Sequence, residues 1–323
     1  MATIDILLGT YNGSTYLDAQ IQSLQRQTIT DWRLLIRDDD SSDDTQARLT
    51  DWAARDPRIT VLRDDLGNLG FNANFYHLLK QSQAPYVMFC DQDDCWLDQK
   101  IERTWAALRT QEALTPGLPL LAHCDSTVTD HTLHPIQARL VAPWARGEGL
   151  ASALFANPVQ GSTLMMNGAL RQLLLRQPPQ THFDFQAALI AEATGKRVFV
   201  DEALMLYRQH PHNALGSAQK TPSNPVVSVR APSWRDRQPS ATFRIGIEGF
   251  EPIARTLHAV KDQWLPGTEK ILTHHREFIR AGGSIHKLFW LSHAHYRFYR
   301  RKDYVDALLW ALGWLQHPSH STI

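Results

Sequence analysis

The first hundred residues alternate short apolar runs with stretches whose apolar positions recur at helical spacing. Ile4–Leu8, Trp32–Arg37, Ile59–Leu62 and Tyr86–Cys90 are apolar runs of strand length. Between and after them, Leu17, Ile21 and Leu24, then Phe75, Leu78 and Leu79, then Ile101, Trp105 and Leu108 fall on single helix faces. Thr15 with Asp18 reads as a capping box for the first helix, and Asp43 as a cap for the second. Strand and helix in regular alternation predict a parallel sheet with helices on its faces. Ligands of such sheets sit beyond the carboxyl ends of the strands. The polar clusters of this chain fall there.

Farther along, Leu120–Cys124, Arg197–Val200 and Leu204–Arg208 read as strands, and Phe185–Thr194 as a helix. A Pro- and Ser-rich stretch near Pro222–Ser240 reads as a linker, and 241–316 is helical in pattern with a break at Gly282–Gly283. The expected organisation is an α/β domain over 1–217, a linker over 218–240 and a helical region over 241–323.

Composition narrows the field. Apolar residues make up 43% of the 323 residues, enough for a sizeable core. Lys and Arg number 33 and Asp and Glu 33, which argues against a general nucleic-acid binder. Cys90, Cys95 and Cys124 have neither zinc nor disulfide spacing and fit structural burial in a reducing compartment. No run reaches the roughly 18 apolar residues of a membrane span. The chain passes from Met1 into Ile4–Leu8 without a basic region, so this stretch reads as a first strand and not a leader. A cytoplasmic location is expected.

Five constellations carry candidate chemistry. Gly9-Thr10-Tyr11-Asn12-Gly13 leaves the first strand; by itself it reads as an ordinary turn, although Tyr11 offers a ring on which a base can stack. Arg37-Asp38-Asp39-Asp40-Ser41-Ser42-Asp43 ends the second strand, where Asp38 and Asp39 are either a solvated acidic turn or acceptors for a pyrimidine N–H or ribose hydroxyl. The strongest signal is Asp91-Gln92-Asp93-Asp94, which closes the apolar strand Val87–Cys90. Carboxylates two apart at a strand end can share a divalent cation, and Mg²⁺ or Mn²⁺ with oxygen ligands suits a departing diphosphate. Asp184, in His182-Phe183-Asp184-Phe185, is a helix N-cap or a general base, and spacing alone favours the cap. His210, in Tyr207-Arg208-Gln209-His210, is a candidate metal ligand, and Arg208 a candidate phosphate contact.

In this order the five pieces, with Asn68-Leu69-Gly70 and Asn157-Pro158-Val159-Gln160-Gly161-Ser162, resemble glycosyltransferase family 2, and most closely its bacterial rhamnosyltransferase-like members. The resemblance covers residues 3–216 and implies a GT-A (Rossmann-like) nucleotide-sugar-binding domain, with the helical region as an extension. It also implies site roles. Thr10, Tyr11, Asn12, Asn68 and one of Asp38 and Asp39 would hold the nucleotide sugar, with Arg208 on phosphate. Asp91-Gln92-Asp93 would be the DxD motif, Asp91 facing ribose or sugar and Asp93 binding Mg²⁺ or Mn²⁺ together with His210. Asp184 matches the base of inverting enzymes. Three departures stand out: Phe183 and Phe185-Gln186 flank Asp184 where His-Asp-Trp-Trp is common, Asp40 replaces a usual Gly, and Cys95 replaces an aliphatic residue. His182 is the alternative base.

The resemblance implies a dTDP-rhamnose or UDP-sugar donor and a glycan acceptor, lipid-linked or on lipopolysaccharide, in surface-polysaccharide (O-antigen) synthesis. Segment 284–316 sets Arg297, Arg300, Arg301 and Lys302 beside Trp, Tyr and Leu, as helices lying on anionic lipid do. Peripheral contact with the inner membrane is expected, and dimerisation is the other use of that surface. A sugar nucleotidyltransferase would need a Gly-rich phosphate loop near the N-terminus, which is missing. A catalytically silent glycan-binding subunit would not need the acid cluster at 91–94.

Overall fold

The computed structural model describes residues 2–141, 149–154, 157, 159–211, 213 and 250–280. The strands are β1 (Ile4–Thr10), β2 (Trp32–Asp38), β3 (Ile59–Val61), β4 (Tyr86–Cys90), β5 (Cys95–Trp96), β6 (Leu120–Thr129), β7 (Pro135–Gln137), β8 (Leu164–Asn167) and β9 (Lys196–Arg208). The helices are α1 (Leu17–Gln25), α2 (Thr45–Arg55), α3 (Phe71–Gln81), α4 (Lys100–Leu114), α5 (Leu150–Ala153), α6 (Gly168–Leu174), α7 (Phe183–Thr194), α8 (Phe250–His258) and α9 (Thr268–Arg280).

Among the described residues the strands form one nine-stranded sheet in the order β3-β2-β1-β4-β8-β6-β9-β5, with β7 beside β6. The expected parallel pairing holds for β3, β2, β1 and β4. It stops at β8, which runs antiparallel to both β4 and β6. The two expected strands at 197–200 and 204–208 are one. β9 follows β6 in parallel throughout, and a register shift between Cys124↔Val200 and Asp125↔Ala203 expels the polar pair Asp201-Glu202 as a bulge.

Both faces of the sheet are covered, which is why its strands read as unbroken apolar runs. Ile6, Leu8, Met88 and Cys90 pack with α1, α2 and α4 on one face, and Leu7, Val87 and Phe89 pack with α3 and α7 on the other. Helices α8 and α9 lie on this second face, against α7 and α5. All three cysteines are buried and free. No helix among the described residues is long and apolar enough to cross a membrane. The expected linker at 218–240 and the basic-aromatic segment at 284–316 lie outside the described residues.

Two expected caps resolve differently. Asp18 does not cap α1, whose first turn rests on the Gly13 carbonyl through the Tyr16 and Leu17 amides. The Asp18 carboxylate instead accepts from Arg48 and, at 2.7 Å, from Trp52 Nε1, so it ties α1 to α2. Asp43 does start α2, but from one residue before the N-cap, accepting the Thr45 amide at 3.0 Å.

Gly195 ends α7 just before β9, and a Cβ there would lie 1.8 Å from the Pro119 carbonyl oxygen. That carbonyl also accepts the Lys196 amide and so cannot retreat without separating β6 from β9. Gly195→Ala is therefore expected to lower stability by about 2–3 kcal/mol in urea denaturation; an unshifted midpoint would contradict this packing.

Candidate active site

The acid loop Asp91–Asp94 leaves β4 and turns directly into β5. Because β5 pairs with β9 (Cys95↔Leu206, Trp96↔Met205), the end of β9 is delivered beside the loop. Tyr207, Arg208 and His210 thereby reach Asp93 and Asp94 across more than a hundred residues of chain. His210 Nε2 lies 2.8 Å from Asp93 Oδ2. The His210 ring packs on Tyr16 at 4.7 Å, and the Arg208 guanidinium sits 4.5 Å over the same ring.

Beyond these strand ends lies a cleft of about 420 Å³, a volume typical of small-ligand sites. Its wall includes Thr10, Tyr11, Asp39 and Asn68 together with Asp91, Asp93 and Asp184. Tyr11 is 52% exposed and Phe71 44%, which makes them free aromatic surfaces within this wall. The Tyr11 backbone is held at two points by the middle residue of the acid loop: Gln92 Oε1 accepts from Tyr11 N at 2.8 Å, and Gln92 Nε2 donates to Tyr11 O at 2.9 Å. The Gln92 amide fills the space over Gly13, where a Cβ would lie 2.1 Å from Gln92 Oε1. Glycine is needed at that turn so that the clamp can close.

The two aspartates at the end of β2 part company. Asp39 is buried and accepts from Arg37 Nη1 at 2.6 Å, Leu69 N at 2.7 Å and Gly70 N at 2.8 Å, so it shapes the Asn68–Gly70 loop while one edge faces the cleft. Asp38 lies outside the cleft wall. Its oxygens accept from Thr10 Oγ1, Ser41 and Gln46. Asn12 also lies outside, with φ 47 and its Oδ1 accepting from Ser42 N at 2.8 Å. Both residues help to build the loops beside the cleft, Asp38 through Thr10, Ser41 and Gln46 and Asn12 through Ser42.

Arg208 bonds to two backbone carbonyls. Its Nε donates to the Asp93 carbonyl at 2.7 Å and its Nη1 to the His131 carbonyl at 2.6 Å. The guanidinium braces the acid loop, and Arg208 is not among the residues that wall the cleft. Asp184 is not an N-cap: it is the second residue of α7, and its carboxylate borders the cleft beside Gly161. His182, the alternative base, is exposed and forms no side of the cleft.

The electrostatics are strained in one direction. Burial, then repulsion from Asp93, pushes the Asp91 carboxyl above its ordinary range, and Asp184 is close enough to add to this. Asp94 is raised further for the same reasons. Burial also raises Asp184, to about 6. Against these acids stands Lys100, which is fully buried, donates to the Ser162 carbonyl and packs its ammonium 3.2 Å from the Trp96 ring centre. Burial holds Lys100 below its ordinary pKa, while Asp94 and Asp91 favour its charge.

Lys100, Gln92 and the cleft residue Tyr207 were not among the expected site residues. A signal for Lys100 existed: with Thr104 and Leu108 it continues a buried stripe of α4 at helical spacing, an unusual place for lysine.

Among the described residues no three His, Cys, Asp or Glu side chains form a closed metal cage. Asp93 with His210 nevertheless offers an oxygen and a nitrogen donor at contact distance. That set suits a divalent ion that keeps waters and takes its remaining ligands from substrate phosphate. Their present hydrogen bond would have to open for both to ligate.

A half-parallel, half-mixed sheet with an acid loop at its centre is the GT-A architecture. S. aureus TarS (residues 1–349, in complex with UDP-GlcNAc) superposes with a TM-score of 0.57 over 90% of this chain and 79% of that one, at 13% identity. A mannosyltransferase from Pyrobaculum calidifontis, in complex with GDP-Man and Mn²⁺, gives a TM-score of 0.52 over 91% and 75%, at 15% identity. Residues 5–155 match the family model for Glycosyl transferase family 2, so the resemblance read from the motifs stands over this stretch. Sequence relatives include an Escherichia coli UDP-Glc:alpha-D-GlcNAc-diphosphoundecaprenol beta-1,3-glucosyltransferase, 32% identical over 31% of this chain and 38% of that protein. The dTDP-rhamnosyl transferase RfbG of Shigella flexneri is 31% identical over 29% of this chain and 34% of its own length. The matches thus span little more than a third of these relatives.

Lys100→Met keeps the apolar stem but removes the bond to Ser162 and the charge that faces Asp94. It is expected to lower stability by about 2 kcal/mol, read from the denaturant midpoint at pH 7.5. A neutral result would mean that the ammonium offsets none of the acid repulsion.

Proposed function

We propose that the protein transfers a sugar from a pyrimidine nucleoside diphosphate, dTDP-rhamnose or a UDP-sugar, to a hydroxyl of a glycan acceptor, with inversion at the anomeric carbon. The observation that carries this reading is that Asp91, Asp93 and Asp184 line one cleft together with Tyr11 and Asp39. Tyr11 and Asp39 suit a stacked base with an acceptor for its N–H, and the three acids suit a diphosphate leaving group beside a general base.

Each residue then has a task. Tyr11, with its backbone clamped by Gln92, offers its ring to the base, and Asp39 and Asn68 close the nucleoside end. Asp93, with Asp91 and His210 in reach, would hold Mg²⁺ or Mn²⁺. Such an ion supplies Lewis-acid charge for a departing diphosphate. Asp184 takes the proton of the acceptor hydroxyl as its oxygen attacks the anomeric carbon. The bond from that carbon to the diphosphate oxygen breaks, and the diphosphate leaves with the electron pair. No covalent enzyme intermediate is needed.

The relatives suggest the setting. One acts on a diphosphoundecaprenol-linked sugar and another is a dTDP-rhamnosyl transferase. A lipid-linked acceptor in bacterial surface-polysaccharide synthesis fits both, with the protein on the inner face of the membrane and the 284–316 segment as its contact with lipid.

Thermal shift and donor hydrolysis test the reading together. dTDP-rhamnose or UDP-glucose should raise the melting temperature only with Mg²⁺ or Mn²⁺ present, and Asp93→Ala should abolish both the shift and hydrolysis. A larger shift with GDP-mannose would overturn the pyrimidine assignment, and metal-independent turnover would overturn the role of Asp93.

The base has its own signature. With its carboxyl raised to about 6, Asp184 is protonated and inactive below that pH and competent above it. The kcat/KM for donor turnover should therefore fall as pH drops through about 6, and Asp184→Asn should lower kcat by about 10²–10⁴-fold and remove this limb. An unchanged profile in the variant would point to another base.

A further inference from the structure

We propose that Asn72 is a positioning residue that fixes Asp184 through the first turn of α7. The proposal rests on the reading of Asp184 as the base. The opening amides of a helix have no partner within it and need an acceptor from elsewhere. His182, at the N-cap of α7, supplies no side-chain bond. The Phe183 amide instead donates to Asn72 Oδ1 at 3.1 Å, reaching an acceptor 111 residues earlier in the chain. Asp184 is the next residue, and its own Oδ1 accepts the Phe185 amide at 2.6 Å, which orients the carboxyl once the turn is set. The base therefore takes its place from a side chain on another helix.

That side chain is anchored beside the residues proposed to hold the nucleoside. Asn72 is the second residue of α3, and α3 starts where Asp39 holds the Leu69 and Gly70 amides. Gly70 has φ 77, a backbone region that side chains with a Cβ enter at a cost. Phe71, between Gly70 and Asn72, lines the cleft. A second connection runs through rings. Phe71 meets Phe75 at 5.0 Å, Phe75 meets Phe89 at 5.6 Å, and Phe89 meets Phe183 at 4.5 Å. The hydrogen bond and the row of rings both tie the start of α3 to the start of α7. One brace thus sets the distance between the nucleoside acceptor Asp39 and the base.

The test uses the full chain with water as acceptor and dTDP-rhamnose or UDP-glucose as donor, whichever the wild type hydrolyses. Asn72→Ala should lower kcat by about ten- to a hundredfold, because a base displaced by an ångström loses about that much, while the donor KM stays within about twofold. Asn72→Asp should restore most of the rate, since a carboxylate accepts the same amide and negative charge suits a helix N-terminus. In an Asp184→Asn background, Asn72→Ala should cost nothing further. A loss that falls on KM, or one that persists without Asp184, would assign Asn72 a structural part only and overturn the proposal. If Asn72→Ala does not fold, Asn72→Gln keeps the amide but shifts the acceptor by one methylene, and wild-type kcat there overturns the proposal too. The two readings fail separately: wild-type hydrolysis by Asp184→Asn removes the base, whereas an impaired Asp184→Asn beside an unimpaired Asn72→Ala removes only the brace.

Discussion

The carboxylate of Asp94, fully buried behind the cleft, accepts from the Ser162 hydroxyl at 3.1 Å and from the Arg208 amide at 3.2 Å. It joins the end of β4, the turn before β8 and the end of β9. Ser162 in turn receives Lys100 at its carbonyl, and Arg208 holds the carbonyl of Asp93. The two acids that face the cleft are thus presented by a third that faces away. Without that inward carboxylate, the loop after β4 would be free to spread its like charges into solvent.

This arrangement leaves the cleft electrostatically unsatisfied. Asp91, Asp94 and Asp184 are all raised above the ordinary carboxyl range, chiefly by burial, and each therefore works against the folded state once it ionises. Lys100 offsets part of that repulsion from within the protein. On the proposed reading a divalent cation would relieve the rest, so part of its affinity would be stored in the fold before any ligand arrives.

Much of the architecture was legible in the order of the residues, for a physical reason. Strands β1 to β4 are buried on both faces, and such strands announce themselves as unbroken apolar runs. The second half of the sheet was harder. β8 is the four-residue Leu164–Asn167, too short for periodicity to reveal, and its antiparallel pairing depends on contacts with β4 and β6 that no local pattern encodes. The site divided along the same line. The acid run at 91–94 marked the place, but four polar residues in a row do not say which points inward. Asp94 as anchor and Arg208 as brace emerge only when β9 is laid beside β5, and Gln92 as clamp only when β1 is laid beside β4. Lys100 and Asn72 belong to helices whose apolar faces drew attention first. Some side chains that touch the cleft were readable, Tyr11, Asp39 and the acids among them, but Gln92 and Tyr207 were not, nor were those that hold the site in place.

Gln92 carries a consequence of its own. Because it sits between Asp91 and Asp93 yet grips the Tyr11 backbone through both its amide atoms, the aromatic shelf and the acidic rim cannot drift apart. On the proposed reading the cleft behaves as a calliper with its jaws locked at one setting. It would then gauge a donor by the span from base to anomeric carbon. A nucleoside monophosphate sugar, one phosphate short, would rest its base on the shelf and leave its reactive carbon out of reach of Asp184. Selection by length would come before any selection by the sugar itself.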